Sequence, residues 1–343
     1  MVTKFFAVTT RGLEAVSAEE IGGIEAVSIT CIGYRRVEGS CDGRLAPLPG
    51  LRTVDDVFLE AARWREVTHT RDMLARFERE AEQLELVSLA TACAELREVR
   101  QPPRFSVTAS FVGKRNYTSN EIKAAVAAGV RAQYPWAYTE DDRSADLNIR
   151  VFIEHDTALV GLRLSKAPLH ERPYKEVQRP GSLKPPVAAA MLRLGGVRPG
   201  MRVLDPCCGA GTILIEAGIS GALPVGGDIE VEAVQAAWEN ASWAGVQTQI
   251  AAWDAGRLPL IDGSAEAIVT NLPWGRQIAI EQASDEFYAA ASAEMERVLA
   301  AGGRIVALTG AAEHLVFSRL AMEKSVEISL YGQTPTIGVY WKG

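Results

Sequence analysis

Two short segments of the chain carry residue types that could do chemistry. Residues 205–212 read DPCCGAGT and offer an acid and two glycines, whose backbone can approach a bound ligand closely. Residues 271–274 read NLPW, about sixty residues later, and offer an amide, a rigid proline and an aromatic ring. Together the two segments predict a cofactor loop beside a site for methyl transfer to a nitrogen that lies in the plane of a flat ring.

The first segment is typical of a loop between a strand and a helix, with Arg202–Asp205 as a buried strand and Thr212 opening the helix. It differs from the dinucleotide pattern GxGxxG and lacks the lysine of a phosphate-binding loop. This favours a cofactor without phosphate, and we expect S-adenosylmethionine. We predict contacts to the cofactor from Asp205, Cys207, Gly209, Gly211, Thr212, Asp228, Ile229, Asp254, Ala255 and Asn271.

Two further acids follow the next predicted strands. Asp228 lies about twenty residues after the loop, where an acid is well placed to hold the ribose hydroxyls. Asp254 ends the third strand, from which it would approach the adenine ring. The alternative is a generic strand–turn–helix unit with acids at its strand ends, but three acids at successive carboxyl ends converge on one crevice.

The second segment suits a weak nitrogen nucleophile, because the lone pair of an exocyclic amine is delocalised into its ring. The Asn271 carboxamide oxygen and the Leu272 carbonyl are candidate acceptors that would localise and orient this lone pair. Pro273 would stiffen the turn, and Trp274 would stack on a base taken out of its helix. Methylation at carbon 5 of a pyrimidine would need a cysteine nucleophile, whereas this turn holds Trp274.

Composition narrows the class of protein. Hydrophobic residues make up 48% of the chain and charged residues 23%, and no apolar run approaches the ~20 residues of a membrane span. The N-terminus lacks the apolar core of a signal peptide. Five cysteines without a CxxC pair and four histidines without ligand spacing predict reduced thiols, a cytoplasmic location and no metal site.

Charge is spread unevenly along the chain. Residues 1–99 carry a net charge of −5, residues 100–184 carry +5, and residues 185–343 carry −7, although the whole chain is at −7. A basic region between acidic ends is a local footprint of the kind that a phosphate backbone contacts. The alternative is ordinary solvated surface.

The elements that must position these residues follow from periodicity. From Pro185 onward strands and helices alternate, which predicts a doubly wound parallel sheet with an antiparallel terminal edge. Strands are predicted near 202–205, 224–228, 248–253, 266–271, 303–309, 326–330 and 336–341, and helices over 186–195, 212–220, 230–245 and 285–300. Upstream of Pro185, the pattern indicates α+β layers, with strands at 2–9, 27–37 and 55–61 and a helical region at 71–97. A helix is predicted at 121–134, capped by Ser119 or Asn120, and a hairpin is predicted across His155-Asp156.

These motifs resemble a known family. The loop resembles the first motif of Rossmann-fold methyltransferases, and the turn resembles the N/D-P-P-aromatic motif of amino methyltransferases, with Leu272 in place of the first proline. The N-L-P-aromatic-Gly form, continuing to Gly275 and Ile278, is similar to THUMP-domain tRNA guanine-N2 methyltransferases of the TrmN type. The stretches from Arg163 to Lys175 and from Gly181 to Pro185 resemble that family's junction between RNA-binding and catalytic parts.

The resemblance implies a ferredoxin-like domain over 1–60, a THUMP RNA-binding domain over 61–165, a basic linker over 166–184 and a Rossmann-like methyltransferase domain over 185–343. It implies methylation of guanine N2 at the sixth nucleotide of the tRNA acceptor stem, with the THUMP domain binding the single-stranded 3′ end. We expect a monomer with tRNA as its partner and no membrane association. The candidate RNA contacts are Lys114, Arg115, Arg172, Lys175 and Lys184.

Other functions remain compatible with the sequence. The same kind of turn occurs in adenine-N6 and protein-glutamine methyltransferases, and rRNA guanine is another possible substrate. A non-catalytic RNA-binding protein with a degenerate methyltransferase fold is the alternative from a different class. The acids and glycines of the first segment, together with Asn271, argue against degeneration.

Overall fold

The computed structural model describes residues 2–274 and 285–343. The chain divides into two compact units. The first comprises residues 1–8 and 18–169, and the second comprises residues 9–17 and 170–343.

The first unit is built on a mixed sheet of eight strands, and most buried hydrophobic residues of these strands share one core, with a smaller cluster of Phe6, Val8, Phe58 and Leu159 beside it. Its strands lie in the order β2-β3-β1-β4-β8-β7-β5-β6, with β5 parallel to β6 and β7 and the other pairs antiparallel. The strands are β1 (Thr3–Val8), β2 (Val27–Gly33), β3 (Arg36–Cys41), β4 (Asp56–Trp64), β5 (Arg104–Phe111), β6 (Ala137–Tyr138), β7 (Leu147–Glu154) and β8 (Thr157–Arg163). Residue 60, where we predicted a domain boundary, falls inside β4.

Between these strands in the sequence lie the helices α1 (Glu14–Gly22), α2 (Met73–Ala81), α3 (Val87–Ala94) and α4 (Ser119–Gln133). Thr118 caps α4: its hydroxyl accepts from Glu121 N–H at 3.2 Å, while the Glu121 carboxylate accepts from Thr118 N–H at 2.8 Å. This reciprocal pair satisfies two N–H groups that the first turn of a helix leaves unpaired. Our assignment of the cap to Ser119 or Asn120 was therefore wrong by one or two residues.

Residues 27–37 form two strands where we predicted one. β2 and β3 pair as a hairpin, and Arg35 at its turn has φ 55°, a left-handed conformation that reverses the chain. The predicted hairpin across His155-Asp156 is confirmed, since β7 pairs with β8 there in antiparallel register.

The second unit alternates helices and strands, as predicted. Its elements are α5 (Pro185–Leu194), β9 (Arg202–Asp205), α6 (Thr212–Ile219), β10 (Leu223–Asp228), α7 (Val231–Ala244), β11 (Gln249–Ala252), β12 (Ala265–Asn271), α8 (Asp285–Val298), β13 (Leu299–Thr309), β14 (Ala321–Glu327) and β15 (Thr336–Trp341). The strands form one sheet in the order β11-β10-β9-β12-β13-β15-β14. The first five are parallel, and β15 and β14 are antiparallel additions.

The order of the strands in the second sheet determines where a ligand can bind. The chain runs outward from β9 to β10 and β11, and then returns to the other side of β9 at β12. The carboxyl ends on both sides of this reversal border one crevice, which is where ligands bind in open α/β sheets. Asp228, Asp205 and Asn271 end the three neighbouring strands β10, β9 and β12.

The terminal strands differ from the prediction. β14 covers Ala321–Glu327 and not 326–330, because the chain leaves the sheet after Glu327 and turns through an isolated bridge between Leu330 and Gln333. The pattern of Ile328 and Leu330 was read as strand, but both side chains are buried in the core beside this turn. In the part of the chain that the structure describes, no helix is both long and apolar enough to cross a membrane.

Candidate active site

The loop after β9 adopts a shape that glycine permits at two positions. Gly209 and Gly211 have φ angles of 52° and 80°, in the left-handed region that other residues rarely adopt. A Cβ atom added at Gly211 would lie 2.9 Å from the Cβ atom of Ala237, so α6 begins in close contact with α7. A Cβ atom added at Gly209 would meet no described atom within 4 Å. The chain is therefore open to a ligand at Gly209.

Asp205 lies at the bottom of this loop, with only 1% of the residue exposed. Its Oδ1 atom accepts from Cys207 N–H at 3.2 Å. Burial raises the pKa of Asp205 to about 7, and the nearby Asp228 carboxylate adds to this shift. A buried acid of this kind gains stability when a cationic group binds beside it, since that group favours the ionised carboxylate.

Asp228 holds the loop from the neighbouring strand. Its Oδ2 atom accepts from Gly209 N–H at 2.9 Å, and its Oδ1 atom accepts from Glu230 N–H at 3.1 Å. Each carboxylate oxygen has a second lone pair that can accept from a ligand hydroxyl. The next residue, Ile229, is 73% exposed and offers an apolar surface at the rim.

A cavity of about 350 Å³ lies over these strand ends. Its lining combines the loop, the end of β10, the start of α7 and the end of β12 with a stretch that precedes α5. The lining residues are Arg179, Pro180, Gly181, Ser182, Leu183, Asp205, Cys207, Cys208, Gly209, Ala210, Thr212, Ile213, Asp228, Ile229, Glu230, Ala233, Asn271 and Pro273.

The cavity suits S-adenosylmethionine by its chemistry. Its volume falls in the range of small-molecule sites. The buried Asp205 carboxylate offers a partner for an ammonium group, and the N-terminus of α6 attracts a carboxylate. Asp228 offers acceptors for ribose hydroxyls, and Ile229 offers a surface for an aromatic base.

One side of the cavity is formed by residues 172–184, which we call the wall segment. Asn240 on α7, only 1% exposed, holds it with both ends of its carboxamide. Its Oδ1 atom accepts from Val177 N–H at 2.9 Å, and its Nδ2 atom donates to the carbonyl oxygens of Val177 at 2.9 Å and Ala210 at 3.0 Å. A single side chain thus joins the wall segment to the cofactor loop.

Further side chains anchor the wall segment to the second unit. The Tyr174 hydroxyl donates to the buried Glu216 carboxylate of α6 at 2.6 Å. The Tyr331 hydroxyl donates to the Ser182 carbonyl at 2.8 Å. Arg179 pairs with Glu230 at the start of α7. Because these contacts come from distant parts of the chain, the wall segment is a folded part of the catalytic unit and not a surface linker.

The turn after β12 is held on two sides. The Asn271 Oδ1 atom accepts from the Trp274 indole N–H at 2.9 Å, and its Nδ2 atom donates to the Gly181 carbonyl at 3.4 Å. Leu272 is fully buried, and its N–H donates to the Leu308 carbonyl at 3.0 Å. The leucine side chain therefore packs in the core, while the carboxamide of Asn271 stays at the cavity.

Comparison with known proteins identifies the family. A model of the RMKL-like methyltransferase domain matches residues 172–331, and a model of the THUMP domain matches residues 78–163. The chain is 32% identical over 230 residues to the tRNA (guanine(6)-N2)-methyltransferase of Thermus thermophilus, covering 66% of this chain and 67% of that protein. The chain belongs to the THUMP-domain tRNA guanine-N2 methyltransferases.

Other members of this methyltransferase family extend the comparison. The crystal structure of TrmN from Thermus thermophilus has a TM-score of 0.80 and 26% identity, with 99% of this chain and 100% of that chain covered. A tRNA (guanine(10)-N2)-dimethyltransferase of Methanothermobacter thermautotrophicus is 36% identical over 156 residues, which cover 45% of this chain and 44% of that protein. The chain thus spans less than half the length of that relative. The predicted family, fold class and S-adenosylmethionine cofactor are confirmed.

Most predicted site residues of this methyltransferase lie together, and some do not. The cavity is lined by Asp205, Cys207, Gly209, Thr212, Asp228, Ile229, Asn271 and Pro273. Gly211, Asp254, Ala255, Leu272 and Trp274 lie outside its lining. Asp254 instead accepts from Gly256 N–H at 2.8 Å, and Ala255 is buried in the core. Gly275 and Ile278, which we cited for the motif, lie outside the described residues.

The two cysteines of the loop are in surroundings that oppose ionisation of their thiols. Burial raises the pKa of the Cys207 and Cys208 thiols well above the usual value, and the neighbouring carboxylates add to the shift. A thiol must ionise before it can attack. Their surroundings therefore favour packing within the loop over nucleophilic chemistry.

The predicted RNA contacts differ in exposure. In the first unit Lys114 is exposed, whereas the Arg115 guanidinium donates to the carbonyls of Val67 at 3.3 Å and Thr68 at 3.0 Å. Arg115 also donates to the Tyr117 hydroxyl at 3.2 Å. The placement of Arg115 therefore favours a structural role, in which it binds backbone carbonyls, over contact with RNA.

In the second unit the basic residues are drawn into the fold. Arg172 lies 3.4 Å from the buried Glu216 carboxylate. Lys175 donates to the Leu183 carbonyl, and burial lowers its pKa to about 8. Lys184 precedes α5 and is half-buried. These placements favour anchoring of the wall segment over contact with phosphate for Arg172 and Lys175.

Sequence reasoning missed the wall segment as part of the cavity. It treated residues 166–184 as a linker, although Gly181 takes φ 75° and the following Ser182 and Leu183 line the cavity. The glycine just before the Pro185-opened helix was the available clue, since glycine marks close approach of backbone to a ligand. Asn240 gave no clue, because an asparagine within a helix is ordinarily a surface residue.

Proposed function

We propose that this chain transfers a methyl group from S-adenosylmethionine to the exocyclic N2 of the guanine at the sixth nucleotide of tRNA. The observation that carries the proposal is Asn271, whose carboxamide lies in the lining of the same cavity as Asp205 and Asp228. The activity for which the Thermus thermophilus relative is named supports the choice of guanine and of its position.

We assign the cofactor contacts as follows. The ammonium group pairs with Asp205, and the carboxylate binds the loop backbone around Gly209 and the start of α6 at Thr212. The ribose hydroxyls donate to Asp228. Ile229 packs on the adenine ring, and we keep Asp254 and Ala255 as proposed neighbours of that ring beyond the cavity lining. Cys207 and Gly211 shape the loop.

The catalytic turn orients the amine. The bound cofactor supplies an electrophilic methyl group on its sulfonium. Asn271 Oδ1 and the Leu272 carbonyl oxygen accept hydrogen bonds from the two N2–H groups, which directs the lone pair along the line of transfer. Pro273 keeps the turn rigid, and Trp274 stacks on the guanine ring. A new N–C bond would form as the methyl–sulfur bond breaks, with its electron pair leaving on the sulfur of S-adenosylhomocysteine. N2 would then release its extra proton to solvent, so no strong base is required.

The rest of the chain recognises the RNA. We propose that the first unit holds the ferredoxin-like and THUMP parts, predicted over residues 1–60 and 61–165, with β4 crossing the boundary between them. We also propose that residues 166–171 lead into the catalytic part, which includes the wall segment 172–184 as well as residues 185–343, and that Lys114 contacts phosphate. We also propose a cytoplasmic monomer that needs no metal ion. The described residues contain no group of three or more His, Cys, Asp or Glu that could hold one.

The test is to incubate the protein with unmodified tRNA and labelled cofactor, digest the RNA and separate the nucleosides by mass spectrometry. We expect label in N2-methylguanosine alone, and loss of labelling when guanine 6 is replaced by adenine. Label in another nucleoside would overturn the assignment of the base. Ribosomal subunits and release factor serve as competing acceptors, and labelling of either in place of tRNA would favour those alternatives.

A second target position is favoured by the Methanothermobacter thermautotrophicus relative, which is named for dimethylation of guanine 10. The same tRNA with guanine 10 replaced by adenine separates the two positions. Loss of label in that tRNA, together with a product of N2,N2-dimethylguanosine, would move our assignment from the sixth to the tenth nucleotide.

A further inference from the structure

Tyr288 on α8 lies behind the catalytic turn. It is 2% exposed, and its hydroxyl lies 2.8 Å from the Pro273 carbonyl oxygen and 3.0 Å from the Thr309 hydroxyl oxygen. It does not line the cofactor cavity. Tyr288 therefore contacts the turn without contacting the place where the cofactor binds.

The hydrogen bonds around Tyr288 have one direction. A carbonyl oxygen can only accept, so the single Tyr288 hydroxyl proton points to Pro273. The Thr309 hydroxyl must then donate to the Tyr288 oxygen, while Thr309 Oγ1 accepts from Ala311 N–H at 3.0 Å. The result is a directed chain from the end of β13, through two hydroxyls, to the backbone of the turn.

The carbonyl that receives this chain belongs to the peptide unit joining Pro273 to Trp274. Trp274 in turn donates to the Asn271 carboxamide oxygen at 2.9 Å. Its ring packs against Gly310, where an added Cβ atom would come within 3.1 Å of the ring. Thr309 and Gly310 thus hold the turn from behind, one through Tyr288 and the other by close packing.

We infer that Tyr288 is a positioning residue for methyl transfer, acting through the Pro273 carbonyl and Trp274 to fix the orientation of the Asn271 carboxamide. This inference rests on the proposed function, in which the Asn271 carboxamide oxygen accepts a hydrogen bond from the target amine. Small displacements of a positioning group reduce the rate of the chemical step more than the binding of either ligand.

The test is Tyr288→Phe, which removes only the hydroxyl. We expect the single-turnover rate constant for methyl transfer to fall about ten-fold. The Kd for S-adenosylmethionine, measured by calorimetry, should stay unchanged. Thr309→Val removes the donor behind Tyr288 and is expected to lower kcat about three-fold. Thr309→Ser keeps the hydroxyl and is expected to restore the wild-type rate.

Tyr340→Phe is the matched control. Tyr340 is 4% exposed and belongs to the same hydrophobic core as Tyr288, but its hydroxyl makes no hydrogen bond within the described residues. It should keep wild-type kcat. Wild-type rates in Tyr288→Phe, or equal losses in Tyr288→Phe and Tyr340→Phe, would overturn the inference. The proposed function is tested separately, by identifying the nucleoside that the wild-type protein methylates. The rates of the variants are compared with the wild-type rate on whichever acceptor the wild type methylates, so the inference about Tyr288 can fail while the proposed function holds.

Discussion

The cofactor loop and the wall segment border the same cavity, yet different forces hold them. Residues 205–212 take their shape mainly from their own backbone, with two left-handed glycines and a helix that begins at Thr212. Asp228 and Asn240 add one contact each, to Gly209 N–H and to the Ala210 carbonyl. Residues 172–184 contain no helix or strand and depend on side chains from α6, α7 and the chain end. One side of the cavity is thus determined mainly by local backbone conformation, and the other is determined by contacts distant in sequence.

This difference predicts how each side fails. The loop should be sensitive to substitutions that its backbone conformation cannot accept. The wall segment should be sensitive to loss of the polar side chains that anchor it, because a buried backbone group left without a partner costs about 1–3 kcal/mol. Asn271 takes part in both sides, since it lines the cavity and donates to Gly181 of the wall segment.

Asn271→Ala should have the largest effect, because it removes an acceptor aimed at the reacting amine. We expect kcat to fall about a hundred-fold, by analogy with the loss of one oriented hydrogen-bonding group in other active sites. Cofactor affinity should change less than three-fold. The measurement is single-turnover methylation of tRNA beside calorimetric titration of the cofactor.

Asn271→Asp separates the two contacts of this side chain. It keeps an oxygen acceptor but lacks the Nδ2 donor to Gly181. If accepting from the amine is the main role, this variant should retain far more activity than Asn271→Ala. Equal activity in the two variants would assign the effect to the wall segment.

Asn240→Leu tests the wall segment directly. It leaves the N–H of Val177 and the carbonyls of Val177 and Ala210 without their partner. We expect the free energy of unfolding to fall by about 3 kcal/mol and the Kd for S-adenosylmethionine to rise about ten-fold. Denaturant melts and calorimetry measure the two effects.

Ser242→Ala is the control on the same helix, because the exposed Ser242 hydroxyl donates only to its own helix, at the Trp238 carbonyl. It should leave both quantities unchanged. If Asn240→Leu lowers stability without weakening the cofactor, the wall segment stabilises the fold but does not shape the cavity.

The same contrast explains what could be read from the sequence. The loop, the acids at strand ends and the Asn271 turn were predictable, because a strand that ends in an acid and glycines before a helix are local patterns. The strand order then brings Asp205, Asp228 and Asn271 together, as parallel strands require.

The rest depended on contacts that no local pattern encodes. Arg172 and Lys175 were read as RNA contacts because they are basic, but Glu216 and the Leu183 carbonyl draw them into the fold. Tyr288 was read only as part of a helix. Its role follows from lying beside Pro273 and Thr309, which are separated from it by 15 and 21 positions in the sequence.

Gly211→Ala tests the locally determined side. The left-handed φ of 80° and the 2.9 Å approach to Ala237 both oppose a side chain. We expect the free energy of unfolding to fall by about 2 kcal/mol. Gly245→Ala is the control, because Gly245 has φ 65° but no described atom within 4 Å of an added Cβ atom. The free energy of unfolding of Gly245→Ala should fall by about 1 kcal/mol. An equal loss in the two variants would show that close packing against Ala237 does not contribute to the effect of Gly211→Ala.

The smallest effect concerns pH. Because burial raises the pKa of Asp205 to about 7, this acid is largely protonated below that pH in the protein without cofactor. Binding an ammonium group favours the carboxylate, so the proton must be released on binding below pH 7, and affinity should fall with decreasing pH by up to about ten-fold per unit. Above pH 7 the proton is already gone from Asp205, so the contribution of this group to the pH dependence of affinity should level off.

Calorimetric titrations between about pH 5.5 and 8.5, roughly one and a half units either side of this pKa, would measure this dependence. Asp205→Asn should bind more weakly and lose the slope, whereas Asp254→Asn, outside the cavity lining, should keep it. The folded protein without cofactor should show the opposite dependence. A raised carboxyl pKa means that the folded state holds a proton that the unfolded state releases, so this group's contribution to stability declines as pH rises from about 4 to about 7. A slope retained in Asp205→Asn would place the titrating group elsewhere and remove Asp205 as the ammonium partner.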